Sequence, residues 1–416
     1  MSMFDRVIGY ESIKKDLLMV CDMVKNREVY DRLGAKMPKG ILLSGEPGLG
    51  KTTIAKCFIS ECGLKTYVIR KTRASDDFVG EITENFRLAK ENAPAIVFLD
   101  DMDKFANEDE IHRDAEEYVA VQAGIDEVKD SEVLVIATVN DIRKLPRSLK
   151  RAGRFDRIIE VEAPTAEDAV KIVKFYLSDK KLSEGFNIED LTKMISYSSC
   201  AELETILNEA AISAAFARKT GIEMRDFVDA TLRMQYAAPS DYSKGSKEEI
   251  RKVALHEAGH VVVCEALKPG SIGLASVRVV ENCEQAGFTH RCTSIDGKTD
   301  ILVSLAGKAA VEMYYADEPA DGCRSDLYHA ASLIYSALSM DAAGSFSLID
   351  VDQFNKSENY RAKHETVIGA EMERYMRETR AILLKNRSFL EKVTEALIEK
   401  ETLLYSDIQR IRKEVA

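Results

Sequence analysis

Two histidines and a glutamate stand at a spacing that could hold a metal ion and use it. His256 and His260 lie four residues apart in the segment HEAGH, within a helical pattern. Residues four apart on a helix lie about 40° apart around its axis, so both imidazoles would face one side and could bind one Zn²⁺. Glu257 could then take a proton from a water on the metal. With only six histidines in the chain, a chance match to H-E-x-x-H is on the order of one in a hundred.

A zinc site of this kind needs a third protein ligand from elsewhere in the chain. The candidates by residue type are His290, His329, Glu312 and Asp326. Residue chemistry alone does not choose among them. His329 follows Asp326 by three residues, a spacing more typical of a packed side chain, or of one that orients a ligand, than of a ligand itself.

A second group of residues could bind the phosphates of a nucleotide. The segment from Gly45 to Thr52 fits G-x-x-x-x-G-K-[ST] and stands between an apolar strand pattern and an apolar helix pattern, which is the context the motif requires. Backbone amides of such a loop point at phosphate oxygens, Lys51 supplies charge to the β- and γ-phosphates, and Thr52 can hold Mg²⁺. The predicted nucleotide-binding residues of this loop are Gly45, Glu46, Pro47, Gly48, Leu49, Gly50, Lys51, Thr52 and Thr53.

Two carboxylates further along the chain complete the predicted nucleotide site. The apolar run 96–99 predicts a buried strand that ends at Asp100 and Asp101. Asp100 suits the oxygen shell of Mg²⁺, and Asp101 stands where a base that activates water is needed. Together with the phosphate loop, these residues predict an ATP site with Mg²⁺.

Composition excludes several classes of protein. The chain has 416 residues, of which 45% are hydrophobic and 31% charged, so two or three domains can each bury a core. A net charge of −12 without a basic run argues against nucleic-acid binding. No apolar stretch approaches the roughly 18 residues of a membrane helix, and residues 1–6 form no apolar signal core. Eight scattered cysteines without a CxxC pair are typical of reduced thiols, so a cytoplasmic location is expected.

The pattern of elements predicts how these residues are positioned. Over 1–164, short apolar runs alternate with helical patterns, which predicts an α/β domain with a parallel sheet covered by helices on both faces. Residues 165–237 predict a helical subdomain, and the polar stretch 238–246 predicts a linker. A mostly α-helical domain carrying the metal site is expected at 247–416, with a capping box at its start and two amphipathic helices over 363–416 at its end.

The first 236 residues resemble the AAA+ ATPase module. The strand pattern Val133–Val139 runs into Asn140, which matches the family's sensor of the attacking water. Arg151 and Arg154 stand in an R-x-G-R-F-D element. The resemblance implies that both arginines reach the γ-phosphate bound by a neighbouring subunit and stabilise transition-state charge there.

The same resemblance implies an adenine pocket. Ile8 and Gly9 fall where the family contacts adenine. Residues 197–203 stand where relatives have G-F-S-G-A-D-L, so Ala201 is predicted beside the base, and Cys200 replaces a glycine.

A pore loop is also implied. The segment 76–80 resembles the family's aromatic pore loop, so Phe78, Val79 and Gly80 are expected to grip a threaded polypeptide through apolar contact. The alternative is that Phe78 belongs to the core.

One residue departs from the family in a way that bears on rate. The family has Glu where this chain has Asp101, whose side chain is shorter by one methylene. Because a misplacement of about 1 Å can cost about a hundredfold in rate, slow ATP hydrolysis is a hypothesis for this chain.

The succession of an AAA+ module and H-E-x-x-H resembles the FtsH family of ATP-dependent zinc proteases, from Phe4 to near the C-terminus. In that family the third zinc ligand is an aspartate in the segment that matches 322–327 here, so the resemblance implies Asp326, with Glu312 in reserve. It implies the cofactors Zn²⁺, ATP and Mg²⁺, and a homohexamer that unfolds, threads and cleaves unfolded or tagged polypeptides. Relatives carry membrane helices before the module; the start at Met1-Ser2-Met3 favours a soluble member over a truncated one.

Two other interpretations remain open at this point. The first is a zinc peptidase whose weak ATPase only assembles the ring, which Asp101 and Cys200 favour. The second is a remodelling or scaffold ring without proteolysis, against which the intact H-E-x-x-H argues.

Overall fold

The computed structural model describes residues 2–71, 77–106, 115–151, 153–238, 245–279, 286–315, 323–340 and 358–415. The chain divides into two compact units, one formed by 1–178 with 197–205 and the other by 179–196 with 206–416. The domain boundaries predicted from the sequence stay predictions, and residues 239–244 of the predicted linker lie outside the described residues.

A five-stranded parallel sheet forms the centre of the first unit, with the strand order β2-β3-β4-β1-β5. Its strands are β1 (Gly40–Ser44), β2 (Lys65–Ile69), β3 (Ala95–Leu99), β4 (Val133–Val139) and β5 (Arg157–Glu160). The three inner strands are buried along their whole length, whereas both edge strands are partly exposed. Such continuous apolar strands are typical of a parallel sheet covered on both faces.

Two apolar clusters cover the two faces of this sheet. Along β3, Val97 and Leu99 belong to one cluster and Ile96 and Phe98 to the other, because successive side chains of a strand point to opposite faces. The predicted α/β architecture is therefore confirmed. The helices up to residue 238 are α1 (Glu11–Lys25), α2 (Arg27–Asp31), α3 (Lys51–Cys62), α4 (Phe78–Glu91), α5 (Ala115–Glu127), α6 (Ala166–Leu177), α7 (Ile188–Met194), α8 (Cys200–Phe216) and α9 (Met224–Tyr236).

The rest of the second unit is mostly helical, as the sequence predicts. A three-stranded antiparallel sheet, ordered β7-β6-β8, packs with its helices around one apolar cluster. These elements are α10 (Lys247–Leu267), β6 (Ile272–Val279), β7 (Ala286–Arg291), α11 (Gly297–Glu312), α12 (Arg324–Met340), α13 (Glu358–Lys385), α14 (Arg387–Lys400), β8 (Thr402–Leu404) and α15 (Tyr405–Val415).

The helix α10 begins at the capping box expected from the sequence. Ser246 Oγ accepts from the backbone N–H of Glu249 at 3.2 Å, and the Glu249 carboxylate accepts from the N–H of Ser246 at 2.6 Å. Two of the N–H groups that a helix start leaves without partners are thus satisfied. The helix ends at Leu267, just before Pro269 and Gly270.

The end of the chain differs from the expectation of two helices over 363–416, which is wrong. Glu401 has a left-handed backbone (φ 62°) and closes α14. The next three residues pair with β6 as β8, and a third helix, α15, follows. Within the described ranges, no helix combines the length and apolar character needed to cross a bilayer.

Candidate metal centre and nucleotide site

Three side chains from two helices converge at the predicted metal site. His256 and His260 lie on α10, and Asp326 lies in the first turn of α12. Asp326 Oδ2 is 3.0 Å from His256 Nε2 and 3.4 Å from His260 Nε2, and the two Nε2 atoms are 3.0 Å apart. The structure therefore brings together the residues that spacing and resemblance predicted as ligands, as a group whose ligand atoms lie within 4.8 Å of one another.

The donor set fits Zn²⁺. The Nδ1 of His260 lies 2.7 Å from the carbonyl oxygen of Val303, so Nδ1 carries the proton and Nε2 keeps its lone pair for a metal. Burial acts to raise the pKa of Asp326, but the two neighbouring histidines outweigh it and hold that pKa below its usual range. Two imidazoles and one carboxylate leave the fourth position of a tetrahedral zinc site for water.

Glu257 is buried beside this group, with 3% of its surface exposed. Burial raises the pKa of its carboxyl, although the neighbouring histidines oppose that rise. A carboxylate with a raised pKa is a better proton acceptor than one in water. Its Oε2 accepts a hydrogen bond from Thr289 Oγ1 at 2.7 Å.

Two glycines that sequence reasoning did not single out let α10 and α11 approach closely. A Cβ on Gly259 would lie 2.4 Å from the carbonyl oxygen of Ala306, and a Cβ on Gly307 would lie 2.4 Å from His256 Cε1. Glycine inside a helix is destabilising by about 1 kcal/mol relative to alanine. A glycine in each helical pattern was therefore a signal that close packing was needed.

The other candidate ligands have different partners. His290 lies 2.9 Å from Ser196 Oγ and 2.7 Å from the hydroxyl of Tyr236, and burial lowers its pKa to about 4. It therefore belongs to a buried polar cluster outside the group of three.

Two further candidates have partners outside the group of three. His329 Nε2 lies 3.3 Å from Asp300, and Glu312 lies 2.8 Å from the ammonium of Lys308. The second contact, together with Arg380, holds the pKa of Glu312 below its usual value against the effect of burial. The reserve ligand Glu312 is accordingly a half-buried ion-pair partner at the end of α11.

The phosphate loop connects β1 to α3, as predicted. Gly45, Gly48 and Gly50 have φ values of 151°, 81° and 85°, a region that side chains rarely adopt. The loop borders a cavity of about 600 Å³. The residues that line this cavity are Gly45, Glu46, Pro47, Leu49, Glu160, Val161, Glu162, Ala163, Tyr197, Ser199 and Glu202.

Lys51 is the first residue of α3, and its ammonium folds back onto the loop. Its Nζ donates to the carbonyl oxygens of Gly45 and Glu46 at 2.6 and 2.7 Å. Burial lowers the pKa of Lys51, while nearby carboxylates oppose that shift. The charge thus stands at the loop that would hold phosphates, whereas Thr53 on the same helix is exposed.

Thr52 and Asp100, the two predicted Mg²⁺ ligands, are in direct contact. Thr52 Oγ1 donates to Asp100 Oδ1 at 2.9 Å, and Thr138 Oγ1 donates to the same oxygen at 2.9 Å. A hydroxyl and a carboxylate placed so are hard oxygen ligands that suit Mg²⁺. Thr138 was missed from the sequence, although it is the one polar residue in the apolar run of β4.

Asp101 is held by cations rather than left free. Its backbone is left-handed (φ 54°), and its N–H donates to Thr138 Oγ1 at 2.8 Å. Its Oδ2 accepts from Lys104 Nζ at 2.7 Å and lies 3.9 Å from the guanidinium of Arg70. Asn140, the predicted sensor, follows β4 and is half-buried.

The two predicted arginine fingers differ in their surroundings. Arg154 is paired with Asp126 at 2.7 Å and also donates to the carbonyl oxygen of Ser148 at 2.7 Å. Arg151 is exposed, and its neighbour Ala152 lies outside the described residues. Arg154 is thus engaged within its own chain, whereas Arg151 is accessible.

The expectation of a pore aromatic at Phe78 is wrong for this structure. Phe78 begins α4, with 3% of its surface exposed, and packs edge-on against Phe105 at 5.3 Å between ring centroids. The carboxylate of Asp77 caps the helix by accepting from the N–H of Gly80. Phe78, Val79 and Gly80 therefore form a helix start rather than a loop that presents an aromatic ring.

The predicted adenine residues all lie in the first unit, and Ala201 contacts the phosphate loop. The N–H of Ala201 donates to the carbonyl oxygen of Gly48 at 3.1 Å. Gly9, which follows the half-buried Ile8, has φ +76°, and a Cβ there would lie 2.6 Å from Asp168 Cγ.

The position of Cys200 is also in this region. Its Sγ lies 3.8 Å from the hydroxyl of Tyr10, and burial raises the pKa of both groups. The Cys200 thiol is therefore a neutral group facing Tyr10.

Two family models match the chain, each over a range that includes one of the two candidate sites. Residues 41–163 match the family model of the ATPases associated with various cellular activities (AAA), and residues 244–411 match that of peptidase family M41. The first match spans the phosphate loop and its carboxylates, and the second spans all three predicted zinc ligands. The predicted fold class, an AAA+ α/β module followed by a mostly helical zinc peptidase domain, is confirmed.

Three relatives, each named ATP-dependent zinc metalloprotease FtsH, match almost the whole chain. The protein of Leptotrichia buccalis is 31% identical over 98% of this chain and 56% of its own length. The protein of Lachnoclostridium phytofermentans is 31% identical over 97% of this chain and 74% of its own length. The protein of a Synechococcus species is 30% identical over 98% of this chain and 69% of its own length. This chain thus spans little more than half of the first relative. It belongs to the FtsH family of ATP-dependent zinc metalloproteases.

Proposed function

We propose that the chain is an ATP-dependent zinc metalloendopeptidase. The observation that carries the proposal is the convergence of His256, His260 and Asp326 beside the buried Glu257, in a chain that also has a phosphate loop. Two nitrogen ligands, one oxygen ligand and an adjacent base are the parts of a hydrolytic zinc site.

The chain's own residues supply the proton transfers of peptide hydrolysis. When bound by the three ligands, Zn²⁺ would polarise the scissile carbonyl and acidify a water molecule. Glu257 accepts the proton of that water and returns it to the leaving amine. Burial of Glu257 supports this role, because a base whose pKa lies nearer to the working pH transfers protons more efficiently in both directions.

The nucleotide half drives delivery rather than bond cleavage. Lys51 binds the β- and γ-phosphates, Thr52 and Asp100 hold Mg²⁺, and Asn140 orients the attacking water. Arg151 completes the ATP site of a neighbouring subunit. A head-to-tail contact of this kind between identical subunits closes into a ring. We infer a homohexamer in the cytoplasm. Its substrates are unfolded or tagged polypeptides threaded through the ring, and nucleic acid is not among its partners.

A zinc peptidase with a weak ATPase is the second candidate function. The observation that favours it is the pairing of Asp101 with Lys104 at 2.7 Å. A carboxylate held by an ammonium has one oxygen fewer for the attacking water, in addition to its shorter reach. In that case nucleotide binding alone would assemble the ring.

Degradation of a stably folded, tagged reporter by the purified chain tests the proposal. ATP, a non-hydrolysable ATP analogue and a zinc chelator are compared side by side. We expect loss of the reporter to require both hydrolysis and metal. Metal-dependent cleavage of unfolded chains but not of the folded reporter, at equal rates with ATP and with its analogue, would favour the zinc peptidase with a weak ATPase. Absence of cleavage in metal-loaded protein would contradict the peptidase.

A further inference from the structure

Thr289 lies against the carboxylate that the proposed function uses as its base. Its Oγ1 is 2.7 Å from Glu257 Oε2, and the hydroxyl is the donor because an ionised carboxylate only accepts. The backbone carbonyl of Glu257 is further away, at 3.5 Å from the same hydroxyl. The two residues are 32 positions apart in the sequence, so the packing of β7 against α10 makes this contact.

The backbone of β7 leaves space for the carboxylate because residue 287 is glycine. Gly287 has φ +83°, and a Cβ there would lie 2.7 Å from Glu257 Oε1 and 2.8 Å from Val253 Cγ1. Carbon atoms do not approach so closely without a shift of their neighbours. The carboxylate is therefore confined from both sides, by the hydroxyl of Thr289 at Oε2 and by the backbone of Gly287 at Oε1.

The strand holds the donor in place independently of Glu257. Thr289 is paired with Ala275 in the β6–β7 ladder. At the end of β7, Arg291 donates to Asp300 Oδ1 on α11 at 2.6 Å. A hydroxyl on a strand fixed in this way is a preorganised donor, and its hydrogen bond costs little further ordering when it forms.

We propose that Thr289 is a positioning residue for Glu257. Its hydroxyl holds the carboxylate in the orientation in which it accepts the proton of the attacking water. This inference rests on the proposed function. A flexible glutamate without such a partner samples other rotamers, and a misplacement of about 1 Å costs about a hundredfold in rate.

Three variants separate positioning from mere structural support. Thr289→Val keeps the shape of the side chain and removes the donor, whereas Thr289→Ser keeps the donor. Thr293→Val is the matched control, because Thr293 Oγ1 is buried without a hydrogen-bond partner among the described residues. Each is measured in the full chain for zinc content, thermal unfolding midpoint, and kcat and KM on a short unstructured peptide.

We expect Thr289→Val to lower kcat about 10- to 100-fold, with KM and zinc content unchanged. Thr289→Ser should recover most of that loss, and Thr293→Val should match the wild-type chain. A Thr289→Val variant with the wild-type kcat would overturn the proposal. Equal losses in Val and Ser would also overturn it, because they would assign the effect to packing.

A readout without turnover separates this proposal from the proposed function. Crystal structures of the wild-type chain and of Thr289→Val report the side-chain rotamer of Glu257. We expect a single rotamer in the first and a rotated or divided carboxylate in the second. An unchanged rotamer would overturn the role of Thr289. A wild-type chain that cleaves no peptide would instead contradict the proposed function, and the rotamer would still decide the role of Thr289.

Discussion

Asp326 Oδ2 lies 3.0 Å from His256 Nε2, although the two residues are 70 positions apart in the sequence. The contact joins the first turn of α12 to the middle of α10. The negative charge of Asp326 lowers the free-energy cost of placing a cation beside the two imidazoles, which are already in contact with each other.

We predict that Asp326→Asn loses most of its zinc. The amide keeps the shape of the side chain but removes the charge that compensates the metal, so affinity falls by about 10-fold or more. The measurement is bound zinc after dialysis against a chelator of known affinity. Glu312→Gln is the control, because Glu312 is paired with Lys308 instead. If the two variants retain equal zinc, Asp326 is not a ligand.

We predict that Glu257→Gln abolishes peptide cleavage and spares ATP hydrolysis. An amide cannot accept the proton, and loss of a general base costs about 100- to 10,000-fold. Peptidase rate, ATPase rate and zinc content are measured on the same preparation. The exposed Glu248 on the same helix, replaced by Gln, should leave all three unchanged. Retained proteolysis in Glu257→Gln would refute its assignment as the base.

We predict that Asp101→Glu raises ATP turnover. The added methylene moves the carboxylate towards the attacking water and away from the ion pair with Lys104. Since a shift of about 1 Å can change a rate about a hundredfold, a rise of about tenfold is expected. Steady-state ATP hydrolysis at saturating Mg²⁺ is the measurement. An unchanged or lower rate would show that the aspartate already supports normal turnover.

Local spacing was enough to predict two of the three ligands of the metal site, because both histidines are on one helix. The ligand Asp326 came only from the family resemblance, since its approach depends on how α12 packs against α10, and no local pattern encodes that packing. Thr138 and Thr289 were missed for the same reason. Thr138 donates to Asp100 and Thr289 donates to Glu257, and in both cases the two partners lie on different elements.

The error at Phe78 has a different cause. The segment 76–80 was interpreted as a loop because it resembles the family's pore loop, but Asp77 caps a helix there. The aromatic side chain then faces the sheet, in contact with Phe105. The three inner strands of the same unit were predicted correctly, because apolar runs buried on both faces need no knowledge of distant partners.

We predict that Phe78→Ala destabilises the first unit. Truncating a buried phenylalanine costs about 3–5 kcal/mol, and Phe78 is 3% exposed. Chemical denaturation gives the change in the free energy of unfolding. Phe216→Ala is the control, with 86% of Phe216 exposed, and should change it little. A Phe78→Ala variant as stable as the wild-type chain would contradict the burial of Phe78 in the core.

Acid should destabilise the second unit through His290. Burial lowers the pKa of His290 from 6.5 to about 4, so the unfolded chain binds a proton at a higher pH than the folded chain does. The free energy of unfolding is therefore insensitive to this group above about pH 6.5, falls as pH drops towards 4, and levels off below that. Each pH unit within this window costs about 1.4 kcal/mol.

We predict that His290→Gln makes unfolding less sensitive to acid between pH 6.5 and pH 4. Glutamine can still hydrogen-bond to Ser196 and Tyr236 but does not titrate, so the slope of unfolding free energy against pH should become shallower. Chemical denaturation at several pH values measures that slope. Equal slopes in His290→Gln and the wild type would show that His290 takes up its proton without unfolding, and that its cluster with Ser196 and Tyr236 accommodates the charge.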